Sequence, residues 1–293
     1  NLSSWDVSSV TNMKELFRNA ITFNENISTW DVSSVSNMIA MFSSTWAFNQ
    51  DISDWDVSNV TNMGSMFYSS NVFNQDISDW DVSNVTNMGG MFWGAREFNQ
   101  DLSSWNVSNV TAMYNMFVGC IYFNADISSW DVSSVTNMQQ MFQQASSFNH
   151  DIAGWNVSSV TQMNSMFSSA TAILNSEELK CSIHISFSDQ TSAWSYDWSG
   201  DCPFQPQTKE ELQTAVDLWV SDNTSALSTY GEINTWDVSL ITNMSELFEQ
   251  KTTFNDDISN WDVSSVTNMQ EMFNSARAFN QNLSSWDVSN VTN

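Results

Sequence analysis

The sequence predicts a solenoid, a stack of repeating turns of chain that share one core, with non-repeat segments covering the ends of the stack. Two observations lead to this prediction. Tryptophan recurs every 25 residues over the first half of the chain and again near its end, and apolar residues keep fixed places between successive tryptophans. A fixed period of 20–50 residues is typical of solenoids and arrays. The ten tryptophans, which number repeats 1 to 10, are Trp5, Trp30, Trp55, Trp80, Trp105, Trp130, Trp155, Trp236, Trp261 and Trp286.

The repeat is spelled most clearly between Trp55 and Asp79. Counting the tryptophan as position 0, valine stands at positions 2 and 5, methionine at 8, Met-Phe at 11 and 12, Phe-Asn at 18 and 19, and Ile or Leu at 22. No single helix or strand period fits this spacing, which favours a turn of chain that changes direction and keeps one side inward. A single turn of this size cannot bury its apolar face alone, so neighbouring repeats must stack.

The repeat pattern divides the chain into four segments. Residues 1–175 hold seven repeats. Residues 176–206 share nothing with the repeat and are expected to form a C-terminal cap, because solenoids need atypical terminal units. Residues 207–232 are expected to form the N-terminal capping helix of a next module, and residues 233–293 begin a second array.

The capping helix is predicted from its start signal. Thr208 and Glu211 stand three residues apart, as in a capping box. The apolar residues that follow lie on one face of a helix. They are Leu212, Ala215, Val216, Trp219 and Val220.

The two ends of the chain resemble each other. Residues 1–12 and 282–293 differ at one position, and both carry Asn-Leu before the repeat tryptophan. We expect a longer tandem protein with a period of 281 residues (282 − 1) and about nine repeats per module. Neighbouring caps are then expected to pack through Trp194, Trp198 and Trp219.

The composition restricts the partners. Lys+Arg 7 against Asp+Glu 33 gives a net charge of −26. Nucleic acid is excluded as a partner because phosphate binding requires a basic surface. The sequence shows no signal peptide and no apolar run long enough to span a membrane.

The repeats share the phrase F-N-Q-D-I-S-x-W-D-V-S-N-V-T-N-M-x-x-M-F. This phrase resembles the repeat of the BspA-like surface-protein family, a divergent leucine-rich-repeat group of mycoplasma-type and microalgal secreted proteins. The resemblance covers roughly residues 1–175 and 233–293. It implies an α/β solenoid, a right-handed leucine-rich-repeat-like stack with one short parallel strand per repeat. The strand is expected at positions −4 to 1 and a short helical turn at N-M-x-x-M-F, with Trp, Met and Phe ladders and an inward asparagine ladder at position 19.

The resemblance also implies an extracellular or cell-surface setting. In such a setting two cysteines within one short segment are expected to pair. We therefore predict a disulfide between Cys181 and Cys202, with Cys120 free and buried.

Two columns of aspartate follow the repeat, at positions 1 and −4. Like charges about 4.8 Å apart repel by roughly 1 kcal/mol even in water. One interpretation is that each Asp caps a turn by accepting backbone N–H bonds, which the exchange of Asp for Asn in some repeats favours. The alternative is calcium, which takes carboxylate oxygens. The candidate metal ligands are Asp51, Asp76, Asp101, Asp126 and Asp151.

Position 13 is variable and expected to face outward. Repeats 3, 4 and 5 carry Tyr68, Trp93 and Val118 there, near Tyr114 and Tyr122. Exposed aromatic stripes mark contact surfaces, although semi-buried filling beneath loops also accounts for them. The candidate binding residues are Tyr68, Trp93, Tyr114 and Tyr122. Glycan attachment is predicted at the Asn-x-Ser/Thr motifs of Asn59, Asn84, Asn109 and Asn223.

The leading functional hypothesis is a structural or adhesive extracellular repeat protein, with capped modules joined head to tail into a rod or filament. Its partners would be copies of itself or neighbouring modules. The alternative is a binding module that recognises a glycan or a surface protein through its sheet face or aromatic stripe. No nucleophile–base pair, phosphate loop or metal-enzyme spacing is present in the sequence, so we predict that it is not an enzyme and has no cofactor, with calcium as the one alternative.

Overall fold

The computed structural model describes residues 2–293, and Asn1, with which the first array is taken to begin, lies outside the described residues. The chain forms two compact units, Asn1–Asp201 and Cys202–Asn293. The boundary between the units falls inside residues 176–206, the segment expected to form one cap. Within the described residues, no helix combines the length and the apolar character that a membrane crossing requires.

Successive repeats stack with equivalent residues side by side. Isolated parallel bridges join position 7 of neighbouring repeats, for example Asn37 to Asn62 and Asn62 to Asn87. Each repeat bonds to both neighbours: the Thr61 N–H donates to Ser36 O at 2.9 Å, and the Met63 N–H donates to Asn87 O at 3.0 Å. The predicted stacking of 25-residue repeats is therefore present.

The predicted α/β solenoid is wrong. Within residues 2–293 the parallel pairing consists of isolated bridges and builds no sheet, and repeats 2 to 6 contain no helix. Positions −4 to 1, where a strand was expected, make a tight turn in which the Trp55 N–H donates to Ile52 O at 3.2 Å. The expected helical turn is interrupted by left-handed residues at positions 10 and 14, such as Ser65 (φ 56°) and Ser69 (φ 53°), which an α-helix does not accommodate.

The backbone N–H groups of positions 8 to 14 are hydrogen-bonded without forming a helix. Alternate N–H groups bond within the turn and to the next repeat: the Met66 N–H donates to Met63 O at 3.1 Å, and the Phe67 N–H donates to Met91 O at 2.8 Å. Buried backbone groups need such partners. The stacked turns supply them without a regular helix or sheet.

Two columns of phenylalanine form the centre of the first core. Position 12 stacks on position 12 of the next repeat, with Phe67 and Phe92 centroids 5.8 Å apart. Position 18 does the same, with Phe73 and Phe98 at 6.0 Å. The two columns also touch within a repeat, where Phe67 and Phe73 lie 3.9 Å apart. The predicted phenylalanine ladder is thus present as a double column.

The asparagine ladder at position 19 exists but does not face inward. Asn74 Oδ1 accepts the Asn99 N–H at 2.9 Å, and Asn49 Oδ1 accepts the Asn74 N–H at 2.9 Å. Asn49 and Asn99 are exposed. The amides therefore join neighbouring repeats along the surface.

Helices cover the last repeat of the first unit. The short helix α1 spans Thr171–Leu174, helix α2 spans Glu177–Gln190, and a 3-10 turn spans Ser199–Asp201. Helix α2 begins at Ser176, whose side chain accepts the Leu179 N–H. It was not predicted from the sequence as a helix.

The side chains of α2 bond to the open edge of repeat 7. Gln190 donates to Trp155 O at 3.1 Å and accepts the Val157 N–H at 2.8 Å. Ser186 Oγ donates to Ala153 O at 2.6 Å. Helix α2 thus gives three backbone groups of the last repeat side-chain hydrogen-bond partners.

The second unit begins with two helices and a 3-10 turn. Helix α3 spans Lys209–Ser221, helix α4 spans Asn223–Tyr230, and the 3-10 turn spans Ile233–Thr235. The capping segment is therefore two helices, separated by Asp222. The Thr208 side chain accepts the Glu211 N–H at 3.1 Å, as the capping box indicates.

Helix α3 packs on the first repeat of the second array. Its buried residues Leu212, Val216 and Trp219 join a core of their own that includes Trp236. Trp219 and Trp236 lie edge to face, with centroids 5.8 Å apart. Each unit therefore has an array of repeats and at least one helix that covers it.

Candidate functional site

The aspartate columns form turns. Asp51 Oδ1 accepts the Ser53 N–H at 3.0 Å and the Ser53 hydroxyl at 2.7 Å. Where asparagine replaces aspartate the same bonds form: Asn106 Oδ1 accepts the Ser108 N–H at 3.2 Å and its hydroxyl at 2.7 Å. A side-chain oxygen, with or without charge, is what this position requires.

These bonds set the electrostatics of the columns. Backbone and side-chain hydrogen bonds from Ser78 lower the pKa of Asp76, while the neighbouring Asp51 carboxylate raises it by a smaller amount. Repulsion between neighbouring carboxylates of the column is therefore present, but the hydrogen bonds from serine have the larger effect on the pKa. Among the described residues, no three or more His, Cys, Asp or Glu side chains are grouped so as to hold a metal ion. Calcium binding by Asp51, Asp76, Asp101, Asp126 and Asp151 stays a prediction.

Three of the four candidate binding residues lie on adjacent repeats. Tyr68 and Trp93 meet edge to face, with ring centroids 5.2 Å apart. Tyr114 lies against Gly89, where an added Cβ would overlap its ring. Trp93 is 36% exposed and Tyr114 is 37% exposed. We name Tyr68, Trp93 and Tyr114 the aromatic platform.

The other aromatic and apolar candidates behave differently. Tyr122 is 52% exposed, and within residues 2–293 no other aromatic ring contacts it. Val118, which was expected beside Tyr68 and Trp93 on the outer face, is buried. The stripe predicted from position 13 is therefore shorter than expected, and Tyr114, at position 9, completes the platform.

Sequence reasoning missed the glycines beneath the platform. Gly89 and Gly90 follow each other in repeat 4, and a Cβ at Gly90 would lie 3.8 Å from Trp93 Cε3. Gly90 has a φ of 62°, in the left-handed region where glycine is unstrained. The available signal was the clustering of glycine in the same three repeats that carry the aromatic residues, namely Gly64, Gly89, Gly90, Gly94 and Gly119.

The predicted glycan-attachment residues are exposed, and three of them donate side-chain hydrogen bonds to the preceding repeat. The Asn59 amide donates to Ser33 O at 2.8 Å, and the Asn84 and Asn109 amides make the equivalent bonds to the preceding repeat. Asn223 is the first residue of helix α4. Glycan attachment at these residues stays a prediction.

The cysteines and the cap tryptophans also have defined surroundings. Cys181 and Cys202 are disulfide-bonded, whereas Cys120 is free and buried, and its burial raises the pKa of its thiol. Trp194 and Trp198 lie against Phe167 of repeat 7, and Trp219 lies against Trp236. Packing of these tryptophans between modules stays a prediction.

Comparison with known proteins identifies the family. No curated protein matches this sequence. One family, described as "Mycoplasma protein of unknown function, DUF285", matches over residues 1–102, 71–179 and 218–293, which include all ten repeats. The chain belongs to this mycoplasma-type repeat family, as its resemblance to the BspA-like repeat predicted.

Proposed function

We propose that this chain is a structural or adhesive protein of the extracellular or cell-surface type, built from covered arrays of stacked repeats that associate with further arrays of the same kind. The observation that carries the proposal is the presence of two separate arrays in one chain. One apolar core extends from Val7 to Trp198, and a second extends from Leu212 to Met272. Serial arrays provide length and surface, which adhesive and structural proteins use.

The polar columns support a scaffolding role. The turn that Asp51 makes with Ser53 recurs at Asp76 and at Asp101, with the same serine two residues later. A catalytic centre requires one constellation that differs from its surroundings. We assign these columns to holding the repeats together and propose no catalytic residue or cofactor among them.

The experiment that tests this proposal is imaging of the native protein by electron microscopy. We expect assemblies in which density repeats along an axis at the spacing of one module. Sedimentation of the purified chain, at concentrations spanning two decades, provides the matching solution measurement. Single particles in the native material, with no contacts between covering helices, contradict a structural assembly.

A second candidate function is favoured by the aromatic platform. Repeats 3 and 4 carry Tyr68 and Trp93 at position 13 and repeat 5 carries Tyr114 at position 9, whereas repeats 6 and 7 have only polar residues at both positions. Exposed aromatic residues mark surfaces that bind glycans or proteins. We propose adhesion through this platform as the specific activity that a repeat scaffold would carry.

A further inference from the structure

We propose that the aromatic platform of Tyr68, Trp93 and Tyr114 is a binding site for a neutral oligosaccharide. This inference rests on the second proposed function and names its ligand class. The argument uses the geometry of the rings, the hydrogen-bonding groups that they leave open, and the charge of the surrounding residues.

Two of the rings lie against backbone that carries no side chain. Tyr114 lies against Gly89, and Trp93 passes beside Gly90, so two adjacent glycines carry two aromatic rings. About a third of each side chain stays accessible. Tyr68 supports Trp93 from the preceding repeat. Aromatic faces of this kind stack on the C–H face of a pyranose ring.

The polar groups of the platform are open. Every repeat tryptophan from Trp30 to Trp155 donates its indole N–H to a carbonyl 28 residues earlier, as Trp80 does to Ile52. Within residues 2–293 the Trp93 indole N–H and the Tyr68 and Tyr114 hydroxyls have no such partner. Amphipathic rings with an apolar body and a free polar tip suit a ligand that presents both C–H faces and hydroxyls.

The charge around the platform selects a neutral ligand. Positions 9 to 14 contain no charged residue in repeats 3 to 6, whereas repeat 1 carries Lys14, Glu15 and Arg18 at these positions. Arg96 and Glu97, three and four residues after Trp93, are one charge of each sign, so together they give neither an anionic nor a cationic ligand a net attraction. An anionic glycan would in addition meet a chain of net charge −26. Uncharged hydroxyls match this uncharged aromatic surface.

The test measures binding of neutral hexasaccharides of glucose, mannose and N-acetylglucosamine to the full chain by isothermal titration calorimetry. We expect at least one to bind, and we expect Trp93→Ala to raise its Kd about tenfold or more, as loss of an aromatic anchor does. Trp46→Ala is the matched control, because Trp46 is 54% exposed and lies outside the platform; it should leave the Kd unchanged.

A second variant tests the geometry without removing a ring. Gly89→Ala adds only a methyl group, which displaces the exposed Tyr114 ring while the repeat core stays intact. We expect this variant to weaken binding, with an unchanged melting temperature. The proposal is overturned if no neutral hexasaccharide binds, if Trp93→Ala binds as the parent does, or if an anionic hexauronate binds as tightly as the neutral probes. Assembly in electron micrographs is scored separately, so a failure of the structural role is distinguished from a failure of this site.

Discussion

Trp80 Nε1 donates a hydrogen bond to the carbonyl oxygen of Ile52 at 3.1 Å. The same carbonyl accepts the Trp55 N–H at 3.2 Å, so one oxygen joins a turn of its own repeat to the indole of the next. Trp80 is 3% exposed. The repeat tryptophan therefore acts both as core filling and as a polar link between neighbouring turns.

Replacement of Trp80 tests both roles. Trp80→Ala should lower the free energy of unfolding by about 3–5 kcal/mol, as large core deletions do. Trp80→Phe retains most of the apolar contact and removes the donor, so it should cost about 1 kcal/mol from the lost hydrogen bond. Chemical denaturation provides the measurement, and Trp46→Ala is the surface control, with an expected effect within about 0.5 kcal/mol. Equal stability of Trp80→Ala and the parent would contradict the Trp80–Ile52 link.

The aspartate turns predict an acid-sensitive stability. Hydrogen bonds from serine hold the pKa values of Asp76, Asp101 and Asp126 below their ordinary value of 3.8. Because the unfolded chain binds more protons than the folded chain below that pH, the stability from these turns is complete above pH 3.8 and is lost as the pH falls through the lowered values. Unfolding followed from pH 6 to pH 2 should show this decline.

A triple variant is the control for that decline. Asp76→Asn, Asp101→Asn and Asp126→Asn together keep the accepting oxygen, as Asn106 does naturally, and remove the titration. The pH dependence should weaken in this variant. An unchanged acid limb would show that other carboxyl groups determine acid unfolding.

Calcium binding is a separate prediction about the same column. Ser53 donates both its N–H and its hydroxyl to one carboxylate oxygen of Asp51, which leaves the second oxygen of that carboxylate for a cation. A bound ion would raise the melting temperature by mass action. We expect calcium to stabilise the parent relative to chelator, and the triple asparagine variant to lose this response. Superimposable melting curves with calcium and with chelator would leave turn formation as the only role of the column.

The sequence predicted the stacking because the period is carried by residues whose burial leaves no other arrangement. Trp, Met and Phe at fixed places must meet their equivalents in a neighbouring repeat. The start of α3 was likewise visible, because Thr208 and Glu211 form a local signal.

The strand and helical turn were wrong because the deciding interaction is not local. Positions 10 and 14 adopt left-handed backbone even where the residue is Ala40 or Ser44, which have no intrinsic preference for that conformation. Hydrogen bonds to the next repeat impose it: the Ala40 N–H donates to Gly64 O at 2.9 Å. A pattern of residue types within one repeat does not contain that information.

The aromatic platform was predicted in part for a related reason. The rings of Tyr68 and Trp93 were visible as an aromatic run at a variable position. The position of Tyr114 depends on Gly89, where the absence of a side chain provides the space. Sequence reasoning looks for side chains that could bind a ligand. It does not identify a position such as Gly89, whose contribution is the lack of a side chain.

The number of cysteine thiols that a reagent can label is a further prediction. Burial raises the pKa of the Cys120 thiol, and buried neutral thiols react slowly. With Cys181 and Cys202 in a disulfide, we expect no labelling by a thiol reagent in the native protein, one label after denaturation and three after denaturation with reduction. Mass spectrometry of each sample provides the count. Rapid labelling of the native protein at Cys181 or Cys202 would contradict the disulfide.

The last prediction concerns how helix α2 closes the first array. Gln190 accepts the Val157 N–H and donates to Trp155 O, so Gln190→Leu leaves both groups of repeat 7 without these partners. An unsatisfied buried polar group costs about 1–3 kcal/mol, and we expect a loss in this range for the first unit. Amide hydrogen exchange is the sharper measurement, because protection at Val157 should fall while protection in repeats 2 to 4 is retained. Ser188→Ala, an exposed change on the same helix, should alter neither. If Val157 stays protected in Gln190→Leu, the edge of repeat 7 is satisfied by something other than this helix.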